Sequence, residues 1–73
     1  MQARPKLEGD TALNLRHAVL PEIEHAILVL KDFLDFEHNT LIARNLSGGL
    51  RELTKARASI ALAATAAEQL EGN

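Results

Sequence analysis

Four cationic side chains, Arg44, Arg51, Lys55 and Arg57, fall within a short segment whose one acidic residue is Glu52. At about 100° per residue of a helix, Arg44, Gly48, Arg51 and Lys55 share one narrow sector. Guanidinium groups offer forked donors that match phosphate oxygens, and a glycine among them lets an anion approach the backbone closely. The chemistry this pattern suits is recognition of a small phosphate-bearing anion. A solvated polar face with a tolerated glycine accounts for the stripe equally well, because rows of exposed charge are ordinary on helices. Gly48 lies off the apolar seam of its helix, so packing does not explain it.

Other spacings suggest metal chemistry. Glu22 and His25 have the Glu-x-x-His spacing with which di-iron bundles aim two ligands from successive turns at one metal. Both fall off the apolar stripe of their helix, and a carboxylate just after Pro21 is also what a helix N-terminus favours. Asp35 and His38 repeat the spacing at the end of the same helix, where His38 is suited to face the last carbonyls. A metal bundle would also need a carboxylate from the second helix, where Glu52 is the mid-helix candidate. His17, His25 and His38 are eight and thirteen residues apart and do not share a face at a usable ligand spacing. Cysteine is absent, and Thr11, Thr40, Thr54, Thr65, Ser47 and Ser59 lie in no nucleophile-elbow or phosphate-loop context. The sequence therefore predicts no catalysis, no cofactor and no metal site.

The elements that position the basic stripe are helices. The apolar set is dominated by 12 Ala and 13 Leu with few β-branched residues, which points to an all-α fold. Residues 1–10 hold Pro5 and Gly9 among charges without periodicity and read as a flexible arm, leaving 11–73 as a single domain. From about Thr11, Val19, Ile23, Ala26, Leu30 and Phe33 follow a heptad seam, and Leu13, Leu20, Ile27 and Leu34 form a second stripe. Pro21 removes the amide that would bond to the His17 carbonyl, so the helix is expected to kink there or to restart at Pro21. This helix ends near His38-Asn39, and Thr40 is placed to cap the next one. A turn of two or three residues then forces an antiparallel hairpin.

In the second helix, Ile42, Leu46, Gly49, Leu53, Ala56, Ile60, Ala63, Ala67 and Leu70 alternate steps of four and three. That seam runs through Gly48-Gly49 and predicts one continuous helix from about 40 to 70, although mid-helix glycine costs about 1 kcal/mol relative to Ala. Gly49, Ala56 and Ala63 lie on one side of it, where small residues allow two backbones to approach closely.

A chain of 73 residues with no cysteine has few ways to stabilise a small core, and self-association is the leading one. The hairpin is a thin rod with apolar residues outside its seams, so a dimeric four-helix bundle or a larger ring is expected. Gly49, Leu53, Ala56, Ile60, Ala63 and Ala67 are the packing positions of that oligomer. No secretory signal precedes the helices and no apolar run approaches the roughly 20 residues of a membrane span, which implies a cytoplasmic protein. The formal charge is −2, and the aromatics are Phe33 and Phe36. Both argue against binding extended nucleic acid, which needs many phosphate contacts and bases stacked on rings.

The run Arg44-Asn45-Leu46-Ser47-Gly48-Gly49-Leu50-Arg51-Glu52-Leu53-Thr54-Lys55-Ala56 resembles the signature helix of small phage hairpin proteins that sequester cyclic oligonucleotide signals, the anti-CBASS sponges. Arg44, Ser47, Gly48, Gly49, Leu53 and Ala56 carry the resemblance. Arg51 stands where that family often has Thr, and Arg57-Ala58-Ser59 where it has an aromatic or Met. The resemblance implies an oligomer of hairpins with ligand pockets between protomers, acting by binding without cleavage. It further implies that Arg44 pairs with ligand phosphates, that Ser47 donates a hydrogen bond, and that Arg4 and Lys6 of the arm close a pocket. The ligand it implies is a cyclic di- or trinucleotide, or a cyclic ADP-ribose isomer. The rival reading from the residues is a helical-bundle interaction protein that inhibits or bridges a host protein or binds RNA.

Overall fold

A computed structural model describes residues 11–71, and over them the chain forms two antiparallel helical arms. The first arm comprises α1 (Thr11–Asn14), a π-helical turn (Leu15–Val19) and α2 (Leu20–Phe36). The second is the single helix α3 (Thr40–Glu71). The expected arm at residues 1–10, with Arg4 and Lys6, lies outside the described residues.

The π-helical turn ends at Val19, two positions before Pro21. Leu20 N–H donates to the Leu15 carbonyl, five residues back rather than four. A proline ring in an α-helix presses on the carbonyl four residues earlier, here that of His17, and withholds one donor. The wider π-helical turn sits where that crowding arises, and Pro21 itself occupies the first turn of α2, where a missing N–H costs least. The chain thus stays helical across the proline by changing its hydrogen-bond register.

The connection is Glu37–Asn39, with Glu37 in extended geometry. Asn39, not Thr40, caps α3: its Oδ1 accepts from Ile42 N–H at 3.0 Å while its carbonyl accepts from Ala43 N–H at 2.9 Å. Glu37 Oε2 in turn accepts from Asn39 N–H at 3.1 Å, fixing the cap residue from the other side. Both Asn and Thr can cap a helix, and the side chain one position earlier took the role. α3 continues through Gly48-Gly49, and neither glycine has a positive φ.

The arms meet along a narrow seam. From α2, Leu20, Ile23, Ile27, Leu30 and Leu34 turn inward; from α3, Leu46, Leu50, Leu53, Arg57, Ile60, Ala64 and Ala67 do so. Among the described residues the buried ones are Ala12, Ile27 and Ala64, and Ala64 is fully covered. The inward face of α3 is rotated from the sequence-derived seam. Leu46, Leu53, Ile60 and Ala67 belong to both and Ala56 is half-buried at the flank, whereas Gly49 and Ala63 are exposed.

The open end of the hairpin is held by polar contacts. The Glu71 carboxylate accepts from Thr11 N–H at 3.0 Å and Ala12 N–H at 3.4 Å, satisfying donors that a helix N-terminus leaves unpaired. One turn inward, Arg16 pairs with Glu68 through Nε to Oε2 and through Nη2 to Oε1 at 3.0 Å, and Nη2 also donates to Thr65 Oγ1 at 3.1 Å. The molecule measures 50 × 25 × 13 Å with a radius of gyration of 16.1 Å. A compact chain of this length would have about 11 Å, so the hairpin is a flat rod.

Candidate functional site

The basic stripe lies on the outer edge of α3, turned away from the first arm. With Leu53 and Ile60 pointing inward, the helical step places Arg44, Gly48, Arg51 and Lys55 on the opposite side of the helix, and the three cations are exposed. Gly48 is half-buried, and a Cβ built on it would meet nothing within 4 Å. The glycine therefore answers no crowding within the chain. Ser47 is half-buried at the margin of the line.

The cations have little to neutralise them. Lys55 Nζ stands 4.0 Å from Glu52 Oε2, with both side chains largely exposed, a separation worth little against solvent screening. Arg44 and Arg51 make no ion pair among the described residues. At 1.5 Å rise per residue, Arg44 and Arg51 are about 10 Å apart along the axis and Arg51 and Lys55 about 6 Å. One phosphate cannot reach all three; two phosphates, or cations from a neighbouring chain, are needed to use the whole line. Leu62, 73% exposed, continues the same edge one heptad beyond Lys55 and adds an apolar surface to it.

The pair of described groups whose titration is shifted lies elsewhere. The hydrogen bond from Arg16 holds the Glu68 carboxyl below its usual range, and the same bond from Glu68 raises the Arg16 guanidinium. These groups join the arms and present no cleft for chemistry. Glu22 and His25 are both exposed, and among the described residues no three His, Asp or Glu side chains converge on a common point. Nor is any described helix long and apolar enough to cross a membrane.

The rod has two unlike broad sides. Taking the inward residues as reference, one side carries Val19, Ala26, Val29 and Phe33 from the first arm and Ile42, Gly49, Ala56 and Ala63 from α3, with the exposed carboxylates Glu22 and Glu52 toward its outer margins. The other carries His17, Glu24, Lys31 and Asp35 with Thr54, Ala58 and Thr65, and the Arg16–Thr65 bond across that side agrees with this placement. At the turn end of α2, Val29, Asp32, Phe33 and Phe36 line an open hollow, with Phe33 60% and Phe36 79% exposed. Sequence reasoning placed Phe33 in a seam and gave Phe36 no role; the signal available was that α2 has more apolar residues than one partner helix can cover.

No family model, curated protein or solved structure matches this chain.

Proposed function

We propose that this protein binds and sequesters a small nucleotide-type ligand carrying at least two phosphates, on the outer edge of α3, as a homo-oligomer in the cytoplasm and without chemical conversion of the ligand. The observation that carries the reading is the line Arg44, Gly48, Arg51 and Lys55: exposed cations, two of them without an ion pair among the described residues, around a glycine that nothing in the chain crowds. The spacing of the cations favours a ligand with separated phosphates, such as a cyclic di- or trinucleotide, and Leu62 offers a flat apolar neighbour for a base. The resemblance of the Arg44–Ala56 run to the anti-CBASS sponges supports the same ligand class and an antagonistic role in antiphage defence.

The test is ligand binding by the Arg44→Ala variant. Hydrogen bonds to charged groups contribute about 1.5–3 kcal/mol, so affinity for a cyclic dinucleotide should fall about tenfold to a hundredfold with helix content unchanged. Unchanged affinity would remove Arg44 from the site. A protein-binding module is the second reading, favoured by the apolar hollow at Phe33 and Phe36; under it Arg44→Ala leaves partner binding intact and no nucleotide binds.

A further inference from the structure

We infer that the apolar broad side, formed by Ala26, Val29 and Phe33 on α2 and Gly49, Ala56 and Ala63 on α3, is the surface on which a second copy of this chain docks. The inference rests on the self-association contained in the proposed function and is independent of any ligand.

Three observations fix the occupant. The first is what the hairpin lacks. Ala12, Ile27 and Ala64 are the buried residues among those described, and none of the large side chains is fully covered. A core this thin does not hold two arms together in water at this size, so the cover must be present whenever the protein is folded. A chain's own copy meets that condition without a second gene product.

The second observation is shape. On this side the bulky Val29 and Phe33 of α2 stand beside Gly49 of α3, and the small residues Ala56 and Ala63 continue the line from Gly49 toward the open end. Counted from the Glu37–Asn39 turn and from the Thr11–Glu71 bond, Gly49 stands level with Val29 and Leu30. A Cβ at Gly49 would meet nothing within 4 Å, so the small side chain is not required by the hairpin itself. A two-fold axis parallel to the arms leaves each residue at its own height, so it sets Val29 of one copy against Gly49 of the other, and the same contact recurs by symmetry. An unrelated partner has no reason to match both halves of the surface at once.

The third is area. α3 spans 32 residues, about 48 Å, and two helices side by side are roughly 20 Å wide, giving a broad side of about 1,000 Å². A stable interface needs about 800 Å² per partner. The opposite side has the extent but carries Glu24, Lys31 and Asp35 close to the seam, whereas the charges on this side, Glu22 and Glu52, lie toward its outer margins, where an interface rim leaves them in water.

The chain has no cysteine, so a single introduced thiol reports one position. Ala63→Cys on the apolar side and Ala58→Cys on the other replace exposed small residues with another small one. In the full-length protein, the thiol at position 63 is expected to resist alkylation at least tenfold more than the one at 58 at high micromolar concentration, and to lose that resistance on dilution as sedimentation shows the monomer appear. Equal reactivity of the two thiols in an oligomer would overturn the assignment of this side. Protection at 63 that persists at a dilution where sedimentation shows the monomer would place the cover within the same chain and overturn the second copy as occupant. A protein that sediments as a folded monomer at all concentrations would overturn the inference together with the self-association on which it rests. Loss of cyclic-dinucleotide binding with the protection pattern intact would count against the ligand alone.

Discussion

Arg16 and Glu68 carry the clearest electrostatic signature in the molecule, and it belongs to the fold. The carboxyl of Glu68 is lowered from 4.5 by its hydrogen bond to Arg16. A depressed acid stabilises the fold fully above its unfolded value and loses that contribution as pH falls through the folded value. Stability of the wild-type hairpin should therefore drop below about pH 4.5, and a Glu68→Gln variant should lack that component of the drop. Thermal melts of both proteins from pH 7 to pH 3 would check this; parallel pH profiles would remove the pair from the account. Arg16 gives no opposing effect in this window, since its guanidinium, raised by the same hydrogen bond, stays charged throughout. The stripe residues differ in kind: Arg44 and Arg51 face solvent and hold nothing in place, so their replacement should spare stability.

At the scale of elements, Gly48 separates packing from binding. Mid-helix glycine costs about 1 kcal/mol relative to alanine, and a Cβ at position 48 meets nothing within 4 Å. Gly48→Ala should raise the melting temperature by about 4–8 °C while weakening the ligand that uses the open backbone. A variant that is stabilised and binds as before would reduce the stripe to a solvated face. The elements themselves were largely legible in the sequence. The unbroken alternation of four and three through Gly48-Gly49 foretold α3, and the short Glu37–Asn39 turn followed from the closeness of the two periodic runs. Pro21 announced a disturbance, but its resolution in the π-helical bond from Leu20 to Leu15 could not be read from residue types. Nor could the choice of Asn39 over Thr40 as cap, because both residues have the required oxygen one position apart.

For the whole molecule, the ambiguity lay in which stripe faces inward. Each helix carries two interleaved apolar sets that share members, so periodicity alone ranks them equally. The hairpin uses Leu50, Arg57 and Ala64 where the sequence reading placed Gly49, Ala56 and Ala63. Ala64 explains part of the outcome: it is fully covered and puts little bulk between the arms near the end tied by Glu71 and Arg16. The displaced set then remains outside with Phe33 and Val29, and the same excess that obscured the seam supplies the broad apolar side. Of the candidate site, the angular clustering of Arg44, Gly48, Arg51 and Lys55 was legible because it depends only on helical geometry. Their exposure depended on which face α3 presents to α2, and so required the fold.

Native mass spectrometry of the full-length protein, alone and with a panel of cyclic di- and trinucleotides and ADP-ribose cyclisation products, would show whether an oligomer of this chain holds such a ligand intact. The expected result is a defined oligomer that takes up ligand in fixed stoichiometry at unaltered ligand mass. An oligomer that retains none of these nucleotides would contradict it.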